Sequence, residues 1–383
     1  MKTAVTELLG IDVPILAFTH CRDVVAAVTK AGGMGVLGAV SHSPEQLEID
    51  LAWIEEQVGD KPYGVDVIVP AKYAGSDEGG LSMADVVNLI PDEHRRFVDR
   101  LMEKYDVPPL PDDEKVAMTR SESDLGGRAA PFSAARTEPL LDISLAHHPS
   151  LLVNALGPPP PHMIERVKDA GRLIGALAGK PQHAQRHVNA GVDLIIAQGA
   201  EAGGHTGEVG TMVLVPEIVD AVAPVPVLAA GGIGRGRQMA AAMALGAQGI
   251  WCGSVWLTTD EAQTHPVVKQ KFLAATSSDT VRSRSLTGKP ARQLRTAWTD
   301  EWEDPANPAP LPMPLQPILV GEARARIDRA AFRQGSGAEQ LANYFVGQIV
   351  GSMNTAKPAA QVVYDMIDEF IESVQSLHRL LES

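Results

Sequence analysis

The chain alternates between two hydrophobic patterns. Short, nearly continuous apolar runs occupy residues 14–18 (PILAF), 35–39 (GVLGA), 63–69 (YGVDVIV), 150–156 (SLLVNAL), 172–177 (RLIGAL), 193–198 (DLIIAQ), 225–230 (VPVLAA) and 249–253 (GIWCG). Amphipathic stretches lie between or after them, at 22–31, 44–58, 162–170, 182–190, 213–222, 235–245 and 265–275. A continuous apolar strand implies burial on both faces, and strands alternating with helices imply a parallel sheet. Gly32, Gly171 and Gly191 close three of the helical stretches, where a left-handed residue ends a helix. Eight such units predict an α/β fold of the TIM (β/α)8 barrel type, with its chemistry in the loops after the strands.

The rhythm breaks between the third and fourth runs. Residues 70–149 are polar, charged and proline-interrupted, with a helix expected near 83–104 and a mobile loop over 107–128. An insertion after a barrel strand belongs on the catalytic face, so 71–149 reads as a lid or substrate subdomain; the plainer alternative is a surface excursion. Beyond the eighth run, 280–295 is basic, 304–317 is a Pro-rich linker, and helices over 321–332 and 361–381 flank a Gly-rich turn at 347–357. The expected division is a barrel built from 1–70 and 150–300, the insertion 71–149 after strand three, and a C-terminal linker and helical extension, 301–383. A plain barrel takes roughly 250 residues, so these additions account for a chain of 383 without a second cofactor domain.

Charge narrows the function. With 33 basic and 47 acidic side chains the net charge is −14, which argues against a nucleic-acid binder and against a polybasic membrane-surface protein. The two cysteines, Cys21 and Cys252, form no CxxC and no Cys/His cluster, so neither a zinc site nor a dithiol is expected, and a disulfide framework is excluded by count. Both read as small buried fillers. No apolar run approaches the roughly 20 residues of a membrane helix. The start, MKTAVTELLGIDVP, lacks the apolar core of a signal peptide. A soluble cytoplasmic protein is expected.

Three motifs bear on chemistry. Residues 33–38 (GMGVLG) match GxGxxG, but a helix precedes them and a strand runs through them. A dinucleotide fingerprint needs the reverse order, so these glycines read as a tight helix-to-strand turn. Residues 230–234 (AGGIG) follow the seventh run and open a helix, while Gly253 and Ser254 end the eighth. Those two loops are where barrels often hold phosphate. Residues 197–207 (AQGAEAGGHTG) leave the sixth run; glycines there let backbone approach a flat ligand, and His205 sits beside it as a group able to move a proton near neutral pH. His20, at the end of the first run, reads as a satisfied polar residue, and Arg22 as part of a helix start rather than a substrate anchor.

AQGAEAGGHTG, VLAAGGIGRGRQMAAAMALGAQGIWCGS and TGKPARQLRTAWTDEW together resemble the nitronate monooxygenase family, formerly called 2-nitropropane dioxygenases, over about residues 1–70 and 150–300. The resemblance implies an FMN-dependent barrel with the phosphate on Gly231, Gly232, Gly253 and Ser254. It implies that Gln198, Gly203 and Gly204 line the isoalloxazine, that Ala17, Phe18 and Thr19 approach its other side, and that His205 is the catalytic histidine. Two departures flank the flavin: Phe18-Thr19-His20-Cys21 stands where the family commonly has a Met-containing segment, and Gly64-Val65-Asp66 where many members read GVN.

The implied reaction is oxidation of an alkyl nitronate by O2 to a carbonyl compound and nitrite. The scaffold also resembles flavin-dependent reductases and oxygenases of enoyl or acyl-CoA thioesters. On that alternative the insertion would shape an acyl pocket and the basic stretch 282–295 would hold CoA phosphates. An inactive flavin-binding barrel is disfavoured by His205. A flavin-free aldolase or isomerase is disfavoured because no Lys or Glu pair ends a strand, although Lys72 follows the third run closely. C-terminal helices of this kind often pack between subunits, which makes a homodimer an expectation.

Overall fold

The computed structural model describes residues 1–69, 83–115, 134–155 and 157–381. Six parallel strands come first: β1 (Ile15–Thr19), β2 (Met34–Gly38), β3 (Gly64–Val67), β4 (Leu151–Asn154), β5 (Leu173–Ala178) and β6 (Leu194–Gln198). A two-residue strand, β7 (Gly204–His205), then leaves the barrel, and β8 (Val227–Ala230) and β9 (Gly249–Cys252) complete it by pairing back to β1. Each of the eight apolar runs overlaps one barrel strand, as the pattern predicts, with ends shifted by one residue at β1, β2 and β5. β7 instead joins β10 (Thr280–Ser283) and β11 (Ala291–Leu294) in a small antiparallel sheet.

Period-two alternation divides the strand residues between two cores. Leu16, Met34, Val36, Leu151, Val153, Leu194, Ile196, Leu228 and Trp251 fill the barrel interior as one buried cluster. Ile15, Ala17, Ile195, Ala197, Val227 and Ala229 pack outward against helices, as do Val65, Val67 and Leu152. The 33–38 glycines serve packing. The helix Arg22–Lys30 precedes them, a Cβ on Gly35 would overlap the Val25 backbone, and one on Gly33 would lie 2.7 Å from the Ile15 carbonyl.

Several boundaries differ from expectation. The single helix near 83–104 is two, Met83–Asn88 and Asp92–Lys104, because Pro91 has no N–H to continue the first and instead precedes the second. A helix at Ala134–Ala146 lies in the insertion, and the helix Leu315–Ala331 starts inside the Pro-rich linker, where Pro317 is tolerated in the first turn. The last helix, Ala359–Arg379, starts just after Pro358. Lys72 and residues 116–128 of the expected mobile loop lie outside the described residues. Cys21 and Cys252 are both free and buried. Among the described residues no helix is long and apolar enough to cross a membrane.

A further core lies beside the barrel. Phe97, Leu101 and Met102 of the insertion pack with Phe272, Trp298, Trp302, Val320, Val346 and Val350. The insertion's helix Asp92–Lys104 and the C-terminal extension therefore share one apolar layer.

The last helix docks on the helix Gly236–Ala244. Val363 and Met366 are buried there, and Glu369 accepts from Arg235 Nε at 3.0 Å and Arg237 Nε at 2.6 Å. Gly236 has no room for a side chain, since a Cβ would overlap the Met366 carbonyl. Gly236→Val should therefore destabilise by about 1–3 kcal/mol through overpacking, read as a lower Tm. An unchanged Tm would refute this account of the docking.

Candidate active site at the mouth of the barrel

The interior alternation ends in a polar layer at the C-terminal ends of the strands. Continued by one step, it turns Phe18, Gly38, Asp66 and Gln198 inward above the apolar core. Phe18 stacks on Trp251 with ring centroids 5.9 Å apart and meets His20 edge-on at 5.2 Å. His20 Nδ1 lies 2.8 Å from the Gly38 carbonyl oxygen, the satisfied polar role the sequence suggested. Burial, with a smaller effect from neighbouring His42, pulls the His20 pKa below 6.5. The Gln198 amide and the Asp66 carboxyl have no side-chain hydrogen bond to any described residue. Buried polar groups are normally paired, so this layer is suited to a polar ligand.

The loop after β6 is knotted from below. Glu201 accepts from the Thr211 N–H at 2.9 Å and the Thr211 hydroxyl at 2.8 Å. Gly199 and Gly231 face that hydroxyl so closely that neither could carry a Cβ, and Gly231 is also left-handed, with φ +107°. On the other side, a Cβ on Gly203 would lie 2.8 Å from the Gly347 nitrogen, so the smallness of Gly203 serves protein packing. Gly204, with φ +75°, has nothing within 4 Å of where a Cβ would be and is the glycine that leaves room for a flat ligand.

His205 follows on β7, paired with Ala291 of β11. The residue reaches the surface, but surrounding chain crowds its ring, with Phe345 6.3 Å away between centroids. Nε2 lies 2.8 Å from the Thr287 hydroxyl, which is itself 3.2 Å from the Lys289 carbonyl oxygen. That carbonyl can only accept; with the Thr287 proton on it, Nε2–H donates to Thr287. Nδ1 is left as the lone-pair nitrogen. Burial by the surrounding chain, then the Lys289 charge, lowers the His205 pKa from 6.5 and keeps the ring neutral at pH 7.

The basic stretch braces this loop. Arg282 and Arg292 stand opposite each other on β10 and β11. Arg292 Nε donates to the Ala200 carbonyl at 3.0 Å and Arg282 to the Thr206 carbonyl at 3.3 Å. Arg284 donates to the Gly288 carbonyl at 2.9 Å, and Arg295 pairs with Asp300 at 2.8 Å. Lys289 is exposed beside His205.

Free N–H groups gather at the ends of β8 and β9. Those of Gly231, Gly232 and Ile233, and those of Gly253, Ser254 and Val255, find no acceptor among the described residues. The following helix start is already capped, since Gln238 Oε1 accepts from Gly234 at 2.9 Å and Arg235 at 3.1 Å. The donors therefore sit earlier than the helix-start argument from the sequence assumed. Ser254 Oγ accepts from the Gly347 N–H at 2.8 Å, which leaves its proton to donate. A Cβ on Gly253 would meet only Phe18, at 3.7 Å. This nest of N–H donors plus a hydroxyl is the donor set of an anion such as a phosphate.

Of the residues singled out in the sequence, Phe18, Asp66, Gln198, Gly204, His205, Gly231, Gly232, Gly253 and Ser254 converge on the mouth. Ala17 turns its side chain into the outward cluster by strand alternation, so what it offers a ligand is its main chain. Thr19 is the last residue of β1, and its hydroxyl accepts from the Cys21 N–H at 3.1 Å. Arg22, at the start of the helix after β1, pairs with Asp50 at 2.9 Å, so its charge is already engaged. Thr287 and the segment 345–348 were missed. Thr287 lies in TGKPAR and the Gly-rich turn covers only 347–348 of the segment, and nothing local ties either to His205.

The family model described as nitronate monooxygenase matches residues 2–369. A Mycobacterium tuberculosis protein, provisionally named a monooxygenase, is 60% identical over 100% of both chains. Among solved structures, a nitroalkane oxidase from Streptomyces ansochromogenes superposes with TM-score 0.77 at 27% identity, covering 98% of this chain and 100% of the other. FabK from Thermotoga maritima gives TM-score 0.72 at 27% identity, covering 99% of each.

Proposed function

The chain belongs to the nitronate monooxygenase family and is an oxidoreductase, and from that premise we propose an FMN-dependent enzyme that oxidises alkyl nitronates with O2 to a carbonyl compound and nitrite. The observation that carries the reading is His205, its Nε2 engaged by Thr287, on a braced glycine loop after β6, with the anion nest on the loops after β8 and β9. The residues fit the cofactor. The nest at 231–233 and 253–255 offers donors for the FMN phosphate, and Gly204, Gln198, Phe18 and Asp66 offer an open face and polar partners for the ring. When bound, the flavin supplies an electron acceptor that O2 regenerates.

The protein's own part is proton and charge management. His205 Nδ1 takes the α-proton of a neutral nitroalkane, and Thr287 holds the ring in the tautomer that leaves Nδ1 free. For an anionic nitronate, Lys289 provides a nearby positive charge that favours its approach. Residues 1–70 and 150–300 form the flavin-binding barrel in this reading, with 71–149 as a substrate-side cover, in a cytoplasmic homodimer acting on small molecules.

The thioester reading retains support from the likeness to FabK. The basic stretch that favoured it is engaged internally: Arg282, Arg284 and Arg292 donate to backbone carbonyls and Arg295 to Asp300. One screen separates the two. The purified protein should be yellow and release FMN on denaturation. Without oxygen, a nitronate should bleach it and NAD(P)H should not. Fast bleaching by NAD(P)H, with colour restored by a CoA thioester, would establish the second reading. A colourless protein that takes up no flavin would sink both.

A further inference from the structure

β3 places one ionisable side chain in the barrel interior. Asp66 is 4% exposed, and its register partners are Gly38 on β2 and Val153 on β4. Its neighbours Val65 and Val67 pack outward, which turns Asp66 inward alongside Val153. Its carbonyl accepts from the Ala39 N–H at 2.8 Å, but its carboxyl has no hydrogen bond or ion pair to any described residue. A buried carboxyl left unpaired is costly, and an apolar residue would fill the place at lower cost.

Among the described residues, the elements packed around it offer no cation. β2 contributes Gly38, which has no side chain, and β4 contributes Val153. β1 contributes Phe18 and, above it, His20, which burial keeps neutral. His42, beyond β2, faces Asp50 at 3.1 Å. The Gln198 amide likewise has no side-chain partner among the described residues.

We propose that Asp66 is a carboxylic acid that keeps its proton and donates a hydrogen bond to an acceptor on the edge of the planar ligand in the mouth. The proposal rests on the flavin reading, in which that edge carries carbonyl oxygens and ring nitrogens. An ionised Asp66 would repel those acceptors, whereas the neutral acid donates to them. Burial, unopposed by any neighbouring charge, holds its pKa far above the usual carboxylate range. The folded chain thus retains a proton that the unfolded chain releases above about pH 4. Asp66 should therefore make stability fall as pH rises above that point, until the folded group ionises.

The test uses flavin-free protein refilled with FMN. Asp66→Asn, whose amide can still donate, should bind FMN within about threefold of the original, and Asp66→Leu about tenfold more weakly. The infrared spectrum of the original should show a carboxylic-acid C=O band that shifts in D2O and is absent from Asp66→Asn. The fall in Tm with rising pH should flatten in Asp66→Asn. Normal FMN binding without the band, or Asp66→Leu binding as tightly as the original, would overturn the Asp66 assignment alone. Failure of the original to bind FMN would overturn the flavin reading and this inference with it.

Discussion

His205→Ala is expected to lower turnover by about 10²–10⁴-fold while the protein stays yellow, the range that loss of a positioned general base gives. His205 belongs to none of the buried apolar clusters, so the fold should be unaffected. The anion nest lies on β8 and β9 rather than β7, so FMN should remain bound. The pH dependence follows from the lowered His205 pKa. Neutral imidazole is the active form for proton removal, so kcat/KM for a neutral nitroalkane should be level above a pKa that lies below 6.5 and fall tenfold per pH unit beneath it. A nitronate, already deprotonated, should lack that limb. Turnover unchanged in His205→Ala, or a profile for the nitroalkane that rises toward acid, would remove His205 from this role.

The barrel was legible because each of its strands is a run buried on both faces, and the period of the pattern changes cleanly where the helices begin. Gly33 to Gly38 could be kept from a dinucleotide reading for the same reason, since element order decides what a glycine motif can do. The small sheet was not legible. β10 and β11 are four residues each, with Arg282 and Arg292 at half-buried positions, and they read as a basic loop because neither carries an apolar face of its own. Their role depends on two backbone carbonyls, at Ala200 and Thr206, far away in sequence. The segment 345–348 was hidden in the same way. Gly347 is required by a close approach to Glu201 and Gly203 that no local pattern announces. Asp66 stood out in sequence only as a departure from GVN; its want of a partner emerges from three strands in register.

Gly253→Asp is expected to yield a folded protein that holds no FMN. The backbone at Gly253 has φ −114°, open to any residue, and a side chain there would enter space bounded only by Phe18 at 3.7 Å. Gly231 is unsuitable for the same experiment, because a left-handed φ and the Thr211 hydroxyl would turn a binding test into a folding test. The new carboxylate would lie among the N–H groups of Ser254 and Val255 and could accept from them itself, so stability should hold or rise slightly. A phosphate in the nest would then face a like charge at about 4 Å, worth about 4 kcal/mol at an effective dielectric of 20, or roughly a thousandfold in affinity. Riboflavin, which has the ring without the phosphate, provides the control: it should bind the original and Gly253→Asp alike, so that the whole loss appears as a change in the FMN-to-riboflavin ratio. Equal FMN affinity in the two proteins would place the phosphate elsewhere, whereas equal losses for FMN and riboflavin would mean that the substitution had disturbed the ring through Phe18.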